Sequence, residues 1–104
     1  MSGLVGLTQS FEDTSFIAGD SPATLNFSAA LDSSGRADGD GYIVNDGSGS
    51  FTIELSHNGS TYGDVITVKD QEIFHFAGVR RLRITHLGTN SAYRCVVQHS
   101  EWHP

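Results

Sequence analysis

Ala23, Leu25, Phe27, Ala29 and Leu31 share one parity of the chain, while Thr24, Asn26, Ser28 and Asp32 hold the other. Strict alternation sends side chains to opposite faces of a strand, so residues 23–31 read as one half-buried strand. Phe51, Ile53 and Leu55 alternate with Thr52, Glu54 and Ser56. Leu82, Ile84 and His86 alternate with Arg81, Arg83 and Thr85, which predicts a further strand. Apolar runs at residues 42–45, 65–68, 73–76 and 93–98 bring the total to seven strands before the N-terminal segment is counted. No helix is needed to account for the pattern.

The breaks between these runs carry their own chemistry. Asn58-Gly59 tolerates the positive φ of a tight turn, which predicts a hairpin over residues 52–68. Residues 69–72 (Lys-Asp-Gln-Glu) and 88–91 (Gly-Thr-Asn-Ser) are further turn signals. Short strands separated by turns indicate an all-β fold: one antiparallel β-sandwich, jelly-roll or immunoglobulin-like, of seven or eight strands. Residues 32–41 (DSSGRADGDG) hold nothing apolar larger than Ala37 and are expected to form a mobile surface loop. Residues 1–20 are expected to form an N-terminal arm and residues 99–104 a short C-terminal tail. In the last hairpin, inward positions are even before the turn and odd after it, so paired residue numbers sum to an odd value. A two-residue turn at Thr89-Asn90 then sets Ile84 opposite Cys95 and His86 opposite Tyr93. Cys95 becomes a small core residue.

Composition narrows the classes. A chain of 104 residues has room for one domain, and 12 glycines with a hydrophobic fraction of 38% suit short strands and turns. The formal net charge of −6 disfavours nucleic acid and anionic membrane, because phosphate binding needs Lys and Arg to release counterions. No apolar run approaches the roughly 20 residues that cross a bilayer. The single cysteine cannot form an internal disulfide, and the N-terminus lacks a basic start and apolar core, so synthesis in a reducing cytoplasm is expected. The sequons at Asn26 and Asn58 are then expected to stay unmodified.

Cys95, His99 and His103 recur at intervals of four, but residues 93–98 read as a strand, in which Cys95 and His99 lie about 13 Å apart, too far to share a zinc ion. His57, His75 and His86 read as turn, surface and sheet-end residues. Asp38-Gly39-Asp40-Gly41 and Asn45-Asp46-Gly47 resemble pieces of calcium loops, yet an EF-hand count from Asp38 finds Gly41 and Gly49 where oxygen ligands belong. There is no Gly-x-Ser-x-Gly elbow and no Cys-His arrangement for a nucleophile. Neither an enzyme nor a cofactor is expected. Four of the six basic residues, Arg80, Arg81, Arg83 and Arg94, fall in the final hairpin, and three of them, Arg81, Arg83 and Arg94, share its outward parity as one basic stripe. The stripe is expected either to face a partner or to pair with residues such as Glu54 across the sheet. Phe11, Phe16 and Ile17 in the arm and Trp102 in the tail either fold back or anchor on a neighbouring subunit.

The order of motifs from Ile43 to Val97 adds a resemblance. An Ile-Val-Asn-Asp-Gly run precedes Phe51-Thr52-Ile53-Glu54-Leu55-Ser56; an Asn-Gly turn with Tyr62-Gly63, an acidic turn, Leu82-Arg83-Ile84-Thr85-His86 and Ser91-Ala92-Tyr93-Arg94 follow. This half of the chain resembles the small β-sandwich virion proteins of tailed bacteriophages, including head decoration (cement) proteins. The resemblance implies a virion subunit, often a homotrimer, that ties the major capsid protein or other virion subunits together without doing chemistry. The alternatives are a neck or tail component, and a carbohydrate-binding module that would use Tyr42, Tyr62 or Trp102 as sugar platforms.

Overall fold

Alternation does build strands, and the computed structural model, which describes residues 8–31, 37–88 and 91–99, has eight of them. They are β1 (Thr8–Phe16), β2 (Ala23–Asn26), β3 (Gly39–Asn45), β4 (Phe51–Ser56), β5 (Ile66–Val68), β6 (Ile73–Val79), β7 (Arg81–His86) and β8 (Ser91–His99). One short helix, α1 (Phe27–Leu31), lies between β2 and β3. The strands form two four-stranded antiparallel sheets, a first of order β1-β8-β3-β6 and a second of order β2-β7-β4-β5. This is the strand order of the jelly roll, two Greek keys wound into facing sheets. The all-β sandwich expected from the alternation is therefore present, and of the two expected topologies the jelly roll is the one adopted.

The inward positions of both sheets meet in one core. Phe16, Phe27, Phe51, Ile43, Ile53, Leu82, Ile84 and Val97 are fully buried in it. Phe16 presents its ring edge-on to Phe51 and Tyr93, with centroids 6.4 and 5.5 Å apart, the geometry that the ring quadrupole favours.

Several expectations are corrected. Residues 23–31 are not one strand: pairing with β7 ends at Asn26↔Arg81, and the chain turns into α1. Asn26 Oδ1 accepts the Ala29 N–H at 3.1 Å, while the Ser28 N–H donates to the Arg80 carbonyl. Phe27 and Leu31 are buried and Ala29 is exposed, as a helical face demands. A spacing of four is shared by strand parity and the helical repeat, which is why the sequence pattern misled.

Residues 32–41 are not one surface loop either. Ala37 is buried, and Gly39–Asn45 is a strand running through the middle of the first sheet; residues 32–36 lie outside the described residues. A Cβ at Gly41 would run into the Val96 carbonyl oxygen, so glycine stands where the strand pattern would otherwise show a side chain.

The expected β7–β8 hairpin is not formed, since the two strands lie in different sheets. Ile84 faces Ile53 and Ala23, whereas Cys95 faces Ile43 and Phe11; His86 faces Phe51, whereas Tyr93 faces Asn45 and Asp13. Parity sets which face a residue occupies and says nothing about its partner strand. Cys95 is buried, as its parity required.

The N-terminal arm is not separate from the sheets: its residues 8–16 form β1, which pairs with β8 from Thr8↔Gln98 to Asp13↔Tyr93 and, after an irregularity, at Phe16↔Ser91, while residues 1–7 lie outside the described residues. The β4–β5 hairpin is real, with Phe51↔Val68 through Ile53↔Ile66, but its connection is a wide loop and not a two-residue turn. There Asn58 Oδ1 accepts the N–H groups of Ser60 and Thr61, both at 2.8 Å, and Gly59 takes a φ of 86°.

Candidate functional site

The arginines expected to form one stripe are divided between the two outer faces. Arg81 and Arg83 point outward from β7 in the second sheet, and Arg94 points outward from β8 in the first. Arg83 Nε donates to Glu54 Oε1 at 3.0 Å, directly across the β4–β7 register, and its guanidinium lies 4.1 Å from the centroid of the Tyr62 ring. The hydrogen bond to Glu54 raises the Arg83 pKa. Arg94 bonds Asp46 through both Nε and Nη2, at 3.0 and 3.3 Å, and is likewise raised. Arg80 pairs with Asp38 at 2.9 Å, whereas Arg81 has no ion-pair partner among the described residues. The cross-sheet pairing to Glu54 is thus present, and the single stripe is not.

Phe16 is wholly enclosed and belongs to the core, so it has no surface to offer a partner. Phe11 is half-buried on the inner side of β1, its ring 5.6 Å from that of Phe27. Both fold back on their own domain. Trp102 lies outside the described residues.

A surface that the sequence did not single out lies at one end of the sandwich. Among the described residues four large apolar side chains are exposed: Ile17 at 41%, Val65 at 61%, Ile73 at 54% and Leu87 at 52%. The register gathers three of them. Ile17 follows the Phe16↔Ser91 pair, Ile73 opens β6 opposite Val44, and Leu87 follows the His86↔Phe51 pair. All three therefore sit at the pole where β1, β3 and β7 end and β6 and β8 begin.

Asn45 holds this pole rigid. Its fully buried amide donates to the carbonyls of Gly49 at 2.7 Å and Val68 at 3.1 Å, and accepts the Gly47 N–H. Its backbone bonds Glu72 and Gln71. One side chain thereby ties the end of the first sheet to the last residue of β5 in the second, with every polar group satisfied.

Several other polar residues take local partners, while the buried His86 Nε2 and Ser91 Oγ have none among the described residues. His57 Nδ1 lies 2.7 Å from the Gly78 carbonyl, His86 Nδ1 accepts the Gly88 N–H, and His75 is exposed beside Tyr42. The acids of the two calcium-like segments bond protein groups: Asp38 bonds Arg80, Asp40 the Gly78 N–H, and Asp46 Arg94. Among the described residues no three His, Cys, Asp or Glu side chains gather as a metal site. Two shallow hollows open on the outer surface. One beside β3 is lined by Asp40, Tyr42, His75, Val96 and Gln98, and one beside the β4–β5 loop is lined by Leu55, His57, Asn58 and Tyr62.

No family model, curated protein or solved structure matches the chain. Its surfaces therefore carry the functional argument. The pole escaped the sequence reading because Ile17, Ile73 and Leu87 are 14 to 70 positions apart and only the jelly-roll crossings bring them together. A large apolar residue at the very edge of a strand, beside a turn, was the signal that could have found them.

Proposed function

We propose that the chain is a structural subunit of a tailed-bacteriophage particle, a head decoration or cement protein that binds the assembled shell through protein–protein contacts. The observation that carries this reading is the apolar pole of Ile17, Ile73 and Leu87 on a rigid jelly-roll sandwich. Solvated apolar side chains carried at one end of a sandwich, on strand ends that also hold the charged residues Asp46, Lys69, Asp70 and Glu72, are the kind of surface that a neighbouring subunit covers. Jelly rolls recur in viral shells, which supports the same reading at the level of fold alone. The mechanism is mass action: a subunit that binds only the assembled lattice of major capsid protein lowers the free energy of that lattice relative to its separated parts. A homotrimer would present three such poles to the shell and gain avidity without any new contact.

Co-sedimentation with undecorated capsids tests this, alongside sedimentation equilibrium of the free protein. Wild-type protein is expected to pellet with capsids. The Ile73→Glu/Leu87→Glu double variant is expected to stay in the supernatant with an unchanged melting temperature, because both side chains are already solvated. Wild-type protein that ignores capsids, or a double variant that binds as well as wild type, overturns the proposal.

A further inference from the structure

The outer face of the first sheet carries a hollow of about 320 Å³, at the low end of the range for small-molecule pockets. An irregularity in the sheet lies beside it. Gly39 pairs with Val79 and Gly41 with Phe76, so β6 spends one residue more than β3 over the same span. Gly78 absorbs the surplus at a φ of 66°, where a side chain would be strained. Its N–H is held by Asp40 Oδ1 at 2.8 Å and its carbonyl lies 2.7 Å from His57 Nδ1, so the bulge is fixed from both sides. A bulge bends its strand locally, and here the floor beside it is formed by Val96, Phe76 and Gly41.

The two sides of the hollow differ in chemistry. Tyr42 and His75, cross-strand partners with ring centroids 6.0 Å apart and planes tilted by 57°, form an aromatic side. Asp40 and Gln98, also cross-strand partners, form a polar side. Asp40 uses Oδ1 on the bulge, while its Oδ2, the Gln98 amide and the His75 ring nitrogens have no hydrogen-bond partner among the described residues. Among the described residues no Lys or Arg lines the hollow, and the carboxylate adds negative charge, so phosphate and carboxylate ligands are disfavoured.

A neutral sugar ring has matching surfaces. Its C–H face packs against an aromatic ring, and its hydroxyls, each donor and acceptor, pair with planar carboxylate and amide groups. We propose that this hollow binds a single neutral pyranose, such as the terminal residue of a glycan, with Tyr42 as the stacking platform and Asp40, Gln98 and His75 reading its hydroxyls. The site goes beyond the assembly role and does not depend on it, since it lies on a sheet face and not at the apolar pole.

Amide NMR spectra of the isotopically labelled full chain, titrated separately with glucose, galactose, mannose and N-acetylglucosamine, test the proposal, with tetramethylammonium and inorganic phosphate as comparison probes. At least one sugar is expected to give saturable shifts at Tyr42, Val96 and Gln98. Tyr42→Ala is expected to weaken that binding about tenfold or more. Gln98→Ala should weaken it too, Tyr42→Phe should retain it, and Tyr62→Ala, at the other hollow, should leave it unchanged; dispersed spectra confirm that each variant is folded. The proposal is overturned if no sugar saturates those amides, if Tyr42→Ala and Gln98→Ala bind as well as wild type, or if tetramethylammonium or phosphate binds there in preference.

Discussion

Cys95 shows how far a single residue can be read. Its odd parity with Tyr93 and Val97 placed it inward before any strand partner was known, and the thiol is indeed fully buried, between Ile43 and Phe11 on the flanking strands. Burial penalises the thiolate and pushes the pKa from 9.0 up to about 12. The folded protein therefore keeps this proton at pH values where the unfolded chain has lost it. The stabilising contribution is complete below about pH 9 and is lost as pH rises toward about 12, by roughly 1.4 kcal/mol per pH unit at most. Urea unfolding of wild type and Cys95→Ala across that window should show a falling stability that the variant flattens. The slope left in the variant belongs to Tyr93, whose pKa is raised by desolvation first and by Asp13 second. Native Cys95 should also label slowly with thiol reagents and rapidly in denaturant. Asn45 was opaque by contrast. In the sequence it reads as the end of a strand and part of a calcium-like Asn-Asp-Gly segment, and its partner Val68 lies 23 positions away, so only the folded chain reveals it as a buried hub.

At the scale of elements, periodicity located strands better than it bounded them. Residues 51–55 and 82–86 alternate cleanly because one side of each strand meets the core and the other meets water. β1 reads as an arm because its inward side holds Gln9, Phe11 and Asp13, with one large apolar residue among the three. Its place in the structure changes what a truncation does. Deleting residues 1–12 removes Thr8 to Glu12 from the nine residues of β1, strips Phe11 from Phe27, and turns β8 into an exposed edge. Stability should fall by about 2–4 kcal/mol, with a new tendency to aggregate. Phe11→Ala alone should cost about 2 kcal/mol, read as a lower denaturation midpoint at constant slope. A truncated protein as stable as the full chain would show that β1 contributes nothing to the fold.

Across the whole molecule, the division of the arginines changes how charge can act. Arg94 sits beside Val44, which in turn pairs with Ile73, so it borders the apolar pole; Arg83 lies on the outer face of the opposite sheet. If the pole meets the shell, charge reversal should matter on one side only. Arg94→Glu should slow association with capsids and alter its salt dependence, while Arg83→Glu should leave the rate within about twofold, as measured by binding kinetics at low and high salt. Equal effects from both variants would mean that the shell contacts both sheets.

Taken by itself, the sequence determined the fold class, the inward side of most strands and the burial of Cys95, because alternation and parity are local properties written every second residue. Tertiary structure decided the rest. β7 and β8 could pair with each other or cross to separate sheets without altering any side chain's face, and only packing the two inner faces into one core selects the crossing. That choice divided the arginines, drew Ile17, Ile73 and Leu87 to one pole, and set Tyr42 and His75 across from Asp40 and Gln98. Each of these groupings joins residues distant in the chain, and no local pattern encodes which distant strands become neighbours.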